Sequence, residues 1–177
     1  MQVLPSEALC EGGFFCFCPP WYDNYMKSVV FCSSQRFKKD LEEFISSLRH
    51  AAESHNAHLV IFDPEFEEQP EAFLRSHEKD RMADTAYRAT IAGKVYDHLF
   101  RKVRVADVCF IFNKDGYLGA NTNGELFAAA ALGKTIYAFD ERTLMGHYPK
   151  ELYEEPSSRK LIHEIVKTPE QLFKRLV

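Results

Sequence analysis

Apolar residues recur along this chain in two periods that alternate from Met26 onward. Ser28–Cys32 is a short apolar run of strand length, followed by Phe37–Ser54, where Leu41, Phe44, Ile45 and Leu48 fall on one helical face. Ala57–Phe62 predicts a second strand. Pro64–Lys79 is acidic and interrupted by proline, which suggests a loop with a short helix and a candidate lid. Ala83–Arg104 predicts one long helix, and Asp107–Phe112 a third strand whose continuous apolar run, Val108–Phe112, suits burial on both faces. A glycine-punctuated polar loop follows. A fourth helix is predicted from about Thr122 to Leu132, closed by Gly133, and then a fourth strand, Thr135–Phe139. Asp140–Arg159 reads as polar loop, Leu161–Val166 as a fifth strand, and Pro169–Leu176 as a closing helix with proline in its first turn.

Five strands alternating with helices predict an α/β fold: a single-domain, doubly wound (Rossmann- or flavodoxin-like) parallel sheet with helices on both faces. The simplest strand order is 2-1-3-4-5, with the topological switch between strands one and three. The loop after strand one (Ser33, Ser34, Gln35, Arg36) and the loop after strand three (Asn113 to Glu125) would then converge on one crevice. Residues 1–25 differ in composition, with Gly12, Gly13, Pro19 and Pro20 among the aromatics Phe14, Phe15, Phe17, Trp21 and Tyr22. They are expected to form an appended arm, and residues 26–177 the domain proper.

Composition narrows the partners. The net charge of −4 over 177 residues disfavours a nucleic-acid polymer or an anionic membrane surface. No apolar run approaches the roughly 20 residues of a membrane span. The start of the chain carries Glu7 and Glu11 and no basic step, so export is not expected and the five cysteines are read as reduced cytoplasmic thiols. Cys10, Cys16 and Cys18 cluster without a matching histidine pair, while Cys32 and Cys109 fall within strands as small core residues. His50, His55, His58, His77 and His163 show no metal-ligand spacing. Neither a metal nor another cofactor is expected.

The candidate chemistry lies in the two polar loops. Ser33 and Ser34 at a helix start suit an anion or a sugar hydroxyl, and Arg36 could add a bidentate contact; equally, a serine may cap the helix while Arg36 is solvated. Thr122-Asn-Gly-Glu125 fits a capping box. Gly116, Gly119 and Gly124 nevertheless leave room for a ligand around the acid, and a helix N-terminus favours an ionised carboxylate that could attack or stabilise an anomeric carbon. Tyr117 is a candidate stacking surface, and Asn113, Asn121 and Asn123 could read hydroxyls or base edges or simply serve as turn residues. His147 is a weaker candidate general acid.

The run DVCFIFNKDGYLGANTNGELFAAAALGKTIYAF (Asp107–Phe139) resembles the nucleoside 2-deoxyribosyltransferase-like superfamily, which includes the 2′-deoxynucleoside 5′-phosphate N-hydrolases. The shared pattern is a strand, N-x-x-G-Y-x-G, a T-x-x-E helix, and A-L-G-K before the next strand; VVFCSSQRF resembles that family's C-G-S-x-R opening. The resemblance implies a glycosidic hydrolase or deoxyribosyltransferase acting on a small nucleoside or nucleotide, and a homo-oligomer. It makes Glu125 the catalytic glutamate and places Ser33, Ser34 and Arg36 near the 5′ end of the sugar; Gly116, Tyr117, Gly119, Asn121, Thr122 and Asn123, with Asn113, are the candidate pocket residues of the same loop and helix. Asp97, with His98 beside it, is the nearest match to the acid that protonates the leaving base, offset by a residue or two. The chain has Gly-Ala-Asn-Thr where true transferases carry Asp-Ser-Gly-Thr. Two other classes stay open: a binding module that holds a nucleotide-derived ligand unchanged, and an oligomeric structural protein.

Overall fold

A computed structural model describes residues 27–66 and 78–177. The expected arm, residues 1–25, and most of the acidic segment read as a lid lie outside the described residues. The sheet is fully parallel, built from β1 (Val29–Ser33), β2 (Ile61–Phe62), β3 (Val108–Phe112), β4 (Thr135–Ala138) and β7 (Glu164–Ile165). Its order is β2-β1-β3-β4-β7, the predicted arrangement with the last strand renumbered. β1 and β3 are in register from Val29 opposite Val108 to Ser33 opposite Phe112, so both strands end at the same level. Ser28 starts the pair: Asp107 accepts hydrogen bonds from its backbone N–H (2.8 Å) and its hydroxyl (2.6 Å).

Strand alternation divides the core into two layers. Val29 and Phe31 of β1, with Phe110 and Phe112 of β3, meet the apolar face of α1 (Lys38–Ser54) and of the closing helix α6 (Pro169–Leu176). Val30, Cys32, Cys109 and Ile111 point the other way, against Leu126 and Ala129 of α4 (Ala120–Ala131). All five residues of β3 are buried, as a central strand covered on both faces requires. Among the described residues no helix is long and apolar enough to cross a membrane.

Three elements differ from the sequence reading. The long helix predicted over Ala83–Arg104 is α3 (Thr85–Asp97), capped by the Asp84 carboxylate on the N–H groups of Ala86 and Tyr87, followed by a π-helical stretch, His98–Val103. The wider turn has about one extra residue, so His98 and Val103, five apart, both face inward. Asp140–Arg159 is no loop. It holds a hairpin, β5 (Leu144–His147) with β6 (Glu151–Glu154), and a short helix α5 (Pro156–Leu161) with Pro156 in its first turn. Gly146 makes the hairpin possible: at φ +116°, a Cβ there would sit 2.2 Å from the Glu151 carbonyl oxygen. Because α5 takes Leu161, only Glu164–Ile165 of the predicted fifth strand pairs in the sheet.

Asn113, expected in the pocket, is instead a buried tie across the top of the sheet. Its amide donates to the carbonyls of Asp140 (3.0 Å) and Arg142 (2.8 Å), and its oxygen accepts from the N–H groups of Phe139 (3.1 Å) and Asp140 (2.9 Å). Its whole hydrogen-bonding capacity is spent on the backbone after β4. Asn113→Ala strands several of these groups, and chemical denaturation should show a loss of about 3 kcal/mol in unfolding free energy.

Candidate functional site

At the carboxyl end of the sheet, α3 and α4 leave a gap above β1. A cleft of about 520 Å³ opens there, with Ser33, Asn121, His98 and Glu125 among its lining residues. Each arrives from a different piece of chain. Ser33 ends β1, with its hydroxyl donating to the Phe112 carbonyl at 3.1 Å. Ile91, Lys94, Val95 and His98 lie at spacings of three, four and seven residues, forming one stripe of α3 and its π extension. Asn121 and Glu125, four apart on α4, close the opposite side. The remaining wall is the segment after β2: Lys102 Nζ donates to the Asp63 carbonyl (2.9 Å) and to Glu65 (2.8 Å), and Lys94 Nζ to the Phe66 carbonyl (3.4 Å).

Glu125 is only 7% exposed, and its environment is not the one the capping box implied. α4 begins three residues earlier than expected, with Gly119 as N-cap and Thr122 buried within the helix. The capping box is therefore not formed, and Glu125 lies in the second turn, away from the free N–H groups that would stabilise its anion. Burial instead pushes its carboxyl up to about 7, opposed only in part by the Cys32 thiol. His98 Nε2 lies 3.8 Å from Glu125 Oε1 and 3.6 Å from Cys32 Sγ. Burial, helped by the charge on Lys102, pushes the imidazole down to about 4. Burial also pushes the Cys32 thiol well up, with the neighbouring Cys109 sulfur at 3.7 Å adding to the effect. All three groups therefore favour their neutral forms.

The other expected site residues lie elsewhere. Asp97 turns outward and pairs with Arg101 at 2.8 Å. Ser34 accepts from the Arg36 N–H and caps the 3₁₀ turn Gln35–Phe37. Arg36 lies over the rings of Tyr117 (5.3 Å) and Tyr148 (5.7 Å). Tyr117 is buried against Phe37 on the α1 side of the sheet, whereas its neighbour Leu118 enters the α4 side. The expected single crevice is thus divided: alternation at the end of β3 sends Tyr117 to one layer and leaves Glu125 in the other. Gly116 takes φ +77°, and a Cβ there would lie 2.7 Å from Arg142 Cβ, so it serves a tight turn. Asn123 accepts from the Ser158 hydroxyl at 2.6 Å, tying α4 to α5, and His147 is exposed on the hairpin. Cys32, Glu65 and Lys94 belong to the site without having been singled out for it, whereas Gln35, in the loop expected to face the crevice, does line the cleft. The α3 stripe that carries Lys94 was visible in the spacing of Ile91, Lys94 and His98.

No family model and no curated protein matches this chain. Among solved structures, a conserved protein from Enterococcus faecalis shares 13% identity at a TM-score of 0.50, over 85% of this chain and 97% of its own. A 2-deoxyribosyltransferase from Bacillus psychrosaccharolyticus shares 16% identity at a TM-score of 0.44, over 82% and 90%. At such identity the likeness to the Enterococcus protein is one of fold, and a fold of this kind hosts many activities.

Raised from an ordinary 4.5 to about 7, Glu125 costs the folded state nothing below pH 4.5. Its penalty grows as pH rises towards 7 and then levels off, on the order of 3 kcal/mol. His98 acts in the opposite sense, its penalty growing as pH falls from 6.5 towards about 4. Glu125→Gln should therefore melt higher than the wild type at about pH 8.5 and close to it near pH 4.5; equal melting temperatures at the alkaline end would contradict the burial argument.

Proposed function

We propose that this chain cleaves the N-glycosidic bond of a nucleoside or nucleotide, with Glu125 as nucleophile or electrostatic stabiliser. The observation that carries the reading is a buried carboxyl, titrating near neutrality, on the floor of a cleft at the carboxyl end of the sheet. Such a group is poised between its forms at physiological pH. As positive charge develops on the anomeric carbon, the carboxylate becomes the favoured form, because the cation supplies the partner that burial denies it. In the covalent version an Oε–C1′ bond forms as the C1′–N bond breaks. The electron pair leaves with the base, and water or a second base then releases the sugar. Ser33 and Asn121 are placed to hold the sugar, and Lys94 to favour an anionic group at the mouth.

Asp97 is not the general acid in this reading, since it pairs with Arg101 and is not among the residues lining the cleft. Glu65, the other carboxylate lining the cleft among the described residues, is held below its usual range by Lys102 and so is an anion unsuited to protonating a base. That observation favours a second reading, a binding module for a nucleotide-derived ligand. Incubation with a panel of nucleosides, deoxynucleotides and dinucleotides separates the two by chromatography of free base. The catalytic reading expects base release that falls at least about 1000-fold in Glu125→Ala, with kcat/KM rising with pH through a midpoint near 7. Ligand binding without base release, unaltered in affinity by Glu125→Gln, would establish the binding module instead.

Association into a homo-oligomer belongs to the same proposal. Tyr96 and Phe100 stack at 4.4 Å while 64% and 50% exposed, which leaves aromatic surface on α3 and its extension for a second copy. Sedimentation velocity should show a species heavier than the 20.5 kDa monomer; a monomer at micromolar concentration would refute this.

A further inference from the structure

Beneath the cleft floor, three elements bring together side chains of three different ligand types: a thiol from β1, an imidazole from the π turn, and a carboxyl from α4. Cys32 Sγ and His98 Nε2 are 3.6 Å apart, His98 Nε2 and Glu125 Oε1 3.8 Å, and all three atoms lie within 4.8 Å of one another. A tetrahedral zinc ion bonded at about 2.3 Å to sulfur and about 2.0 Å to nitrogen and oxygen would hold sulfur and nitrogen about 3.6 Å apart, and nitrogen and oxygen about 3.3 Å. The first spacing is met as it stands, the second needs about half an ångström of side-chain movement, and sulfur and oxygen, within 4.8 Å of each other here, must come to about 3.5 Å.

The charges also fit. Zn²⁺ with one thiolate, one carboxylate and one neutral imidazole sums to zero, so a buried site that opposes each lone anion accepts the set together. His98 presents one nitrogen, Nε2, to both Cys32 Sγ and Glu125 Oε1, so that single atom would be its ligand atom. Ligand softness selects among metals: thiolate with imidazole suits zinc and disfavours magnesium or calcium. Both His98 and Glu125 line the cleft, which provides an entry path and a fourth, open position.

We propose that Cys32, His98 and Glu125 form a binding site for a thiophilic divalent cation of the zinc type, and that its occupancy withdraws the Glu125 carboxylate from substrate. On loading, the Cys32 S–H bond is exchanged for a metal–sulfur bond and the proton goes to solvent. Glu125 releases its proton likewise when it carries one, and the metal keeps its oxidation state. The inhibitory half depends on the glycosidic reading above; the binding half does not.

Cobalt(II) is the probe. The full-length protein, stripped with chelator and kept reduced with a phosphine, is titrated with Co²⁺ and followed by absorption. The expected result is one equivalent bound, with a thiolate-to-cobalt charge-transfer band and the visible bands of a tetrahedral ion, both removed by Zn²⁺. Cys32→Ser should abolish the charge-transfer band, and His98→Gln and Glu125→Gln should each weaken binding by about tenfold or more. Circular dichroism and melting verify that each variant is folded. Replacing Cys10, Cys16 and Cys18 together by serine should leave the spectrum intact. No charge-transfer band, a band that survives Cys32→Ser, or one lost with the N-terminal cysteines overturns the site. Where base release is measurable, Zn²⁺ should suppress it in the wild type. An inactive protein that still gives the cobalt spectrum would refute the glycosidic reading and keep the metal site.

Discussion

The burial of one carboxyl group among uncharged neighbours is the constraint on which the rest of this site depends. An isolated carboxylate taken out of water would cost far more than a domain's whole stability, so the group holds its proton instead. Among the described residues Glu125 meets no cation: its nearest titratable partners are an imidazole kept neutral by the same burial and a thiol kept protonated by it. The three neutral groups are mutually consistent, and a positive charge brought among them changes the favoured state of each. A developing oxocarbenium ion and a bound metal are two versions of that charge. The same constraint thus underlies both the proposed glycosidic chemistry and the proposed metal site.

The fold arranges this through strand register. Because β1 and β3 end level, Ser33 and Phe112 finish side by side, and the chain beyond each strand must cross the top of the sheet. Alternation then decides which layer each side chain enters. Cys32 reaches the α4 layer, where His98 and Glu125 wait, while Tyr117 enters the α1 layer among Phe37 and Tyr148. Asn113 fixes the crossing by binding the backbone after β4 on both its donor and acceptor sides. Polar residues that look alike in the sequence therefore divide between a structural tie and the lining of the cleft.

The architecture was legible because it follows from periodicity: β1, α1, β3 and β4 are apolar patterns that only one arrangement buries. The loop and helix motif pointed to Glu125, which lines the cleft, although its electrostatic state was not legible. A capping box and a buried acid one turn further along share the same four letters; only the start of the helix at Ala120 tells them apart. Asp97 and His98 are adjacent, and a uniform α-helix gave no reason to separate them. The π turn provides one, directing His98 inward and leaving Asp97 to Arg101. The hairpin after β4 was hidden because Leu144, Met145, Leu152 and Tyr153 are only half-buried or exposed, so their strands carry little apolar signal.

The central claim is that the Glu125 carboxyl is a neutral acid in the empty cleft until pH approaches 7. Carbon-13 NMR of protein labelled at the glutamate side-chain carboxyl reads this directly, with the Glu125→Gln variant identifying the resonance. The account predicts a titration midpoint near 7, well apart from the other glutamates. A midpoint among them, near the ordinary 4.5, would show the carboxylate to be solvated or paired and would contradict the account.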